Sequence, residues 1–363
     1  MSSWTQAEEP ARPTSVFRSG HASRAGLGLL LSIAALAAVA VGPYSLKFDD
    51  LAAIAAQGLG LATDAPVSRQ QLAVLVDLRL PRVLLAVLTG GGLGLAGAMM
   101  QGLFRNPLAE PGLLGVASGA AVGVAAAIVV LPRHIAPSLP FVELLQPLCA
   151  FGGALLATAA VYRLARQDGR TSLAIMLLAG IAINALAGAL IGFLSYLSSD
   201  DQLRNLTFWN LGSLGRADWK TLAVLGLLVV PAGAALLSQA AALNVLLLGE
   251  AEAFHLGVDL KRVKALGITL SALIVGSLVS ACGIIGFISL VAPHLVRLAC
   301  GPDHRHVLPG SALCGALLLV LADMGARTLV APAELPIGIL TALLGTPFFL
   351  WLLKQRSAGG SLA

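Results

Sequence analysis

The stretch from Arg79 to Gly119, RLPRVLLAVLTGGGLGLAGAMMQGLFRNPLAEPGLLGVASG, limits the possible folds more than any other part of the chain. It holds two apolar runs, residues 83–101 and 113–131, separated only by the polar turn Arg105-Asn106-Pro107. A helix needs about 20 apolar residues to cross the hydrocarbon core of a bilayer, and each run is close to that length. In lipid the backbone must satisfy its own hydrogen bonds, so the two runs predict a helical hairpin through the membrane. Gly90 and Gly94 in the first run, and Gly115, Gly119 and Gly123 in the second, leave a ridge without side chains along one helix face. Such a ridge lets a neighbouring helix approach closely, which predicts a hairpin buried deep in a bundle.

The rest of the chain has the same character. Hydrophobic residues make up 57% of the sequence, charged residues 11%, and mean hydropathy is +0.88. A soluble domain of this size would carry bare apolar patches over its surface, so the chain reads as an all-α polytopic membrane protein. No polar stretch reaches the roughly 50 residues of a small folded domain, which leaves one membrane domain at 25–354. A Ser-, Pro- and Arg-rich segment at 1–24 predicts a disordered cytoplasmic tail, and 355–363 a second, short one. The net charge of +5 does not point to nucleic acid, because Lys and Arg are scattered through loops and not clustered with aromatics on one face. Cys149, Cys282, Cys300 and Cys314 lie in or beside apolar segments without C-x-x-C spacing, as small core residues do.

Taken in order, spans are predicted at about 25–42, 83–101, 113–131, 144–162, 173–197, 221–239, 265–282, 287–299, 309–327 and 335–353. Residues 43–78 are too charged for lipid and predict an extracytoplasmic loop with a surface helix. The segment LRNLTFWNLGSLGRADW, with two tryptophans, predicts an amphipathic piece at a membrane interface. Ten crossings place both termini on one side. Fourteen of the 23 Lys and Arg fall on that side, which assigns it to the cytoplasm.

The chain contains no G-x-x-x-x-G-K-[ST], so any ATP that drives it is bound by another subunit. It also lacks G-x-S-x-G and H-E-x-x-H, which argues against a membrane-embedded enzyme. Asp323 is the one carboxylate well inside a span. It either pairs with Arg327 one helical turn later or forms a coupling-ion site, as a secondary carrier would need. His294, Met99 and Met100 are packing residues or ligands to a metal or heme iron. Residues 244–264 form a polar excursion. Leu246 to Glu250 and Ala253 to Gly257 predict a short helix, bounded by glycines, that lies on the bundle or docks in a partner's groove.

Several motifs then fall into one order: Arg79-Leu80-Pro81-Arg82, QGLFRNPLAEPGLLGVASGA (101–120), LGEAEAFHLGV (248–258), GFISLVAPHLVRL (286–298), DHRHVLPGSALCGALLLVLAD (303–323) and AELPIGILTALLGTPFFLWLL (333–353). Together they resemble the permease subunits of ABC importers for cobalamin, heme and ferric siderophores, from about residue 25 to 354. The resemblance implies a ten-helix subunit of the bacterial inner membrane that forms a homodimer with the translocation path at its interface. It further implies two separate ATPase subunits that hold ATP and Mg, and a periplasmic substrate-binding protein. No cofactor and no metal is expected on the chain itself.

Residue by residue, the resemblance gives Arg79, Arg82 and Arg327 to docking of the binding protein. Gly249, Glu250, Glu252, Phe254, Leu256 and Gly257 correspond to the helix that couples to the ATPase. Met99 and Met100 are placed on the translocation path, and Thr171 and Ser172 near its cytoplasmic gate. The segment from Leu203 to Gly215 looks more like heme permeases than cobalamin ones, which favours heme over cobalamin or a ferric siderophore.

Overall fold

The computed structural model describes residues 20–42, 68–130, 142–167 and 173–358, with isolated positions 44, 50, 51, 53, 54, 56, 170 and 171. Residues 1–19 and 359–363 of the two expected tails, most of the loop at 43–67 and Ser172 lie outside the described residues.

The helices are α1 (Gly20–Ala40), α2 (Arg69–Ala73), α3 (Leu80–Leu103), α4 (Val116–Val129), α5 (Val142–Ala165), α6 (Leu173–Leu197) and α7 (Asp200–Asn210). They continue with α8 (Trp219–Leu237), α9 (Ala240–Leu246), α10 (Glu250–His255), α11 (Leu260–Cys282), α12 (Ile288–Cys300), α13 (His304–Thr328) and α14 (Ile337–Ala358). Among the described residues seven helical stretches are long and apolar enough to cross a membrane, and α4, α12 and the apolar part of α14 are shorter. These ten correspond one for one to the runs in the sequence. The only strand pairing among the described residues is a two-residue one, Arg166 and Gln167 against Thr171 and Arg170.

Two boundaries differ from expectation. The second span does not start at residue 83, because Ser68 begins a helix fifteen residues earlier with a capping box. Its hydroxyl accepts from Gln71 N at 3.1 Å while the Gln71 side chain accepts from Ser68 N at 2.9 Å. A π turn over Val74–Arg79 carries the chain into α3 without a break, so apolar helix runs from Arg69 to Leu103. Arg69 and Asp77, which argued for a loop, are exposed on the outer side of this extension. In the other direction, Pro111–Leu114 forms a 3-10 turn and Gly115 adopts φ +75°, so α4 has only 14 residues. In the segment with two tryptophans, Trp209 is buried in the bundle while Phe208 and Trp219 are exposed.

The glycine ridge works as its spacing predicts. A Cβ on Gly90 would overlap the Gly315 carbonyl, and one on Gly94 the Ser311 carbonyl, both in α13. Gly119 and Gly123 of α4 meet Gly153 and Cys149 of α5 in the same way. Helix α3 therefore runs through the middle of the subunit with α13, α12, α11 and α8 packed against it.

Helix α11 ends at Cys282, whose sulfur lies 3.5 Å from Thr89, partway along α3. Residues 283–287 are not helical, with Gly283 at φ +72° and Phe287 at φ +67°. Backbone from another segment caps the helix end at this break, with Ser213 N donating to Cys282 O at 2.8 Å, and that segment is tied in turn to the start of α14, where Gly338 N donates to Leu211 O at 3.0 Å. Irregular backbone at membrane depth survives only where protein satisfies it or where it borders a cavity.

Candidate functional site

Two opposite ends of the bundle carry the predicted site residues. At one end the chain leaves α9 at Leu246 and reaches Gly249, which adopts φ +130°, a conformation that an L side chain rarely tolerates. The six residues of α10 follow, closed by Gly257 at φ +82°. Ala253 is the buried side of this short helix, while Phe254 is 70% exposed and Leu256 63% exposed. Glu250 pairs with Lys264 of α11 at 2.8 Å and ties α10 to the spanning helix behind it. A groove of about 1310 Å³ lies between α10, the start of α11 and the end of α5, bordered by Tyr162, Arg166, His255 and Lys261.

The base of this end is fixed by α9. Asn244 Nδ2 donates to Asp303 Oδ1 at 2.6 Å, and Asn244 Oδ1 accepts from His304 N at 2.8 Å. The Asn244 amide holds the Asp303 carboxyl below the usual carboxylate range, against the opposing effect of burial. At this end Phe254 and Leu256 are thus exposed apolar side chains beside a hydrogen-bonded base.

The opposite end holds the three arginines, and they turn inward. Arg79, 5% exposed, donates to the carbonyls of Val39 at 2.8 Å, Ala40 at 2.7 Å and Tyr44. Arg327, 3% exposed, donates to Ala38 O at 3.0 Å and Val41 O at 3.3 Å. Between them they satisfy the carbonyls left open at the C-terminus of α1, where cations also complement the helix dipole. Asp323 accepts from Arg82 at 3.0 Å and pairs with Arg327 at 3.1 Å, so the i,i+4 pair is present with a second partner added. Arg82 also reaches Glu334 at 2.9 Å. Of the three arginines only Arg82 has an edge near the surface, beside the half-exposed Glu334.

The remaining predicted residues are not brought together. Met99 and Met100 are fully buried, with Met99 against Gly267 of α11, so they face helices of the same chain and not its outer surface. Thr171 lies in the two-residue pairing that precedes α6. The His294 ring packs edge-on against Phe348 with centroids 5.7 Å apart. Among the described residues no three His, Cys, Asp or Glu side chains gather as a metal site would require.

Sequence reasoning missed Glu334, Lys264, and the buried link from Arg297 to Gln101. Glu334 lies 252 positions from its partner Arg82, a separation that no local spacing signals.

Among the described residues, ten apolar helices that include a glycine-lined central span, with a short helix presenting Phe254 at one end, are the architecture of a multi-pass membrane permease subunit. Residues 30–355 match the FecCD transport family, and the chain belongs to that family. It is similar to the hemin transport system permease protein HmuU of Yersinia pestis, 48% identical over 329 residues covering 90% of this chain and 94% of that one. It is also similar to the cobalamin import system permease protein BtuC of Halobacterium salinarum, 44% identical over 279 residues covering 77% and 73% of the two chains. Among solved structures it resembles a metal-chelate type ABC transporter in an inward-facing conformation. That likeness has a TM-score of 0.77 and 34% identity, and it covers 92% of this chain and 98% of the other. The chain is a multi-pass inner-membrane protein, and its curated relatives are translocation subunits.

Proposed function

We propose that two copies of this chain form the path of an ATP-driven importer that receives heme from a periplasmic binding protein and releases it in the cytoplasm. The observation that carries this reading is the exposed pair Phe254 and Leu256 at α10, framed by two positive-φ glycines on a chain whose sequence holds no P-loop motif. Phe254 and Leu256 insert into a groove of a cytoplasmic ATPase, two copies of which bind ATP and Mg. Closure of the ATPase pair then favours one of the two access states, with Glu250 and Lys264 passing the movement to α11. Heme as the substrate is supported by 48% identity to a hemin permease across nearly the whole chain, ahead of the cobalamin permease at 44% over a shorter stretch.

Docking of the binding protein falls to the opposite end. Arg82 and Glu334 form its charged rim, and Arg79 and Arg327 hold that rim from beneath. Charge pairs at such a rim orient docking more than they strengthen it.

The test is reconstitution with an ATPase subunit and the cognate binding protein. Hemin uptake should require ATP and persist without an ion gradient, and uptake driven by a gradient alone would refute the assignment. Replacing Phe254 by Asp should weaken ATPase binding by roughly 30-fold or more, the scale of losing a buried aromatic anchor at an interface. Its melting temperature should stay that of the wild type, because the side chain is exposed. An unchanged ATPase affinity would remove α10 from the coupling role.

A further inference from the structure

A second cleft, about 200 Å³, opens at the arginine-bearing end where α7 runs into the start of α14. Its lining includes Phe208, Trp209, Ser213, Arg216, Cys282 and Glu334. Gly212, Ser213 and Cys282 in its wall belong to the junction described above, where Ser213 N donates to Cys282 O and the amides of Ile337 and Gly338 donate to Gly212 O and Leu211 O. In secondary transporters, interrupted helices border the places where substrate is held, because their open backbone groups can face a ligand.

The side chains around that junction have complementary chemistry. Phe208 is 59% exposed, and Trp209 backs it from within the bundle. Arg216 is exposed and, among the described residues, makes no ion pair or hydrogen bond. The acid that shares the cleft, Glu334, is already engaged by Arg82 at 2.9 Å, so the Arg216 charge is left uncompensated. An aromatic face beside a free guanidinium suits a flat conjugated ring with carboxylates on its edge. The cleft is smaller than the roughly 300 Å³ needed to enclose a small molecule, so it grips an edge and not a whole ligand.

We propose that this cleft is a substrate subsite, in which Phe208 meets the ring and Arg216 pairs with a carboxylate of a flat metal chelate as it passes from the binding protein into the path. The inference rests on the heme reading above and adds the residues that select for the carboxylate edge.

The experiment compares hemin with hemin dimethyl ester, whose carboxylates are blocked, in proteoliposomes holding the permease, its ATPase and the binding protein. Arg216→Ala should raise KM for hemin about twofold to fivefold with kcat nearly unchanged, the effect of losing one partly exposed charge pair. Uptake of the ester should be the same in Arg216→Ala and wild type, while Phe208→Ala raises KM for both substrates. The affinity of the binding protein for the permease, measured in parallel, should not move. Equal effects of Arg216→Ala on hemin and ester, or a matching loss of binding-protein affinity, would make Arg216 a docking residue and overturn the subsite. Wild-type uptake of hemin that Arg216→Ala leaves unaltered would remove the subsite alone, whereas wild-type protein that carries neither compound would remove the substrate assignment with it.

Discussion

Gly94→Leu should yield no stable, monodisperse protein in detergent. The residue sits where α3 crosses α13, and a Cβ there would overlap the Ser311 carbonyl, with the Gly315 Cα 3.3 Å away. Both obstacles are backbone, so no rotamer change can clear them and the two helices must separate. Overpacking a core costs about 1–3 kcal/mol when side chains can yield, and more when they cannot. The loss spreads because α13 also carries Asp323 and Arg327 at its far end. Gly226→Ala in α8 is the matched control, since nothing lies within 4 Å of its added methyl. Size-exclusion profiles and thermal unfolding of the two variants decide the matter: a Gly94→Leu protein that elutes and melts like wild type would mean that α3 and α13 are not in backbone contact.

The glycine ridge was legible because close helix packing requires small residues at fixed spacing on one face, and that requirement is written locally. The same holds for α6, whose limits at Leu173 and Leu197 coincide with its apolar run, and for α10, which is framed by two glycines that no other residue replaces easily. Hydropathy failed where a local signal outweighed composition. At Ser68 the capping box starts a helix in spite of flanking charges, and at Gly115 the left-handed turn shortens one in spite of an apolar run.

The site at the arginine-bearing end was half legible. Arg79, Arg82 and Arg327 stand out in the sequence, but their orientation depends on partners far away in it. Nothing near Arg79 or Arg327 announces that the open carbonyls of α1 will take up their donors, and nothing near Arg82 announces Glu334. Fixed charge buried at the end of a bundle must find a partner, but the sequence does not say which one.

That network supplies the second strong test. Asp323 is 1% exposed and holds two guanidinium groups, so Asp323→Ala should destabilise the protein by about 3–5 kcal/mol, the cost of leaving buried charge uncompensated. The Arg82 and Arg327 side chains would then repel each other across the space it vacated, with Glu334 able to answer only Arg82. Asp323→Asn keeps the shape and removes the charge, and it should destabilise less than the alanine variant while lowering the melting temperature measurably. The asparagine variant also separates an ATP-driven importer from an ion-coupled carrier. With Asp323 as a structural counter-ion, ATP-driven uptake per folded transporter should stay close to wild type while stability falls. With Asp323 as a coupling-ion site, uptake would vanish while the melting temperature stayed near that of the wild type. The geometry favours the first outcome, because Asp323 Oδ1 and Oδ2 each lie within about 3 Å of a guanidinium nitrogen, so two fixed cations already balance the single carboxylate charge.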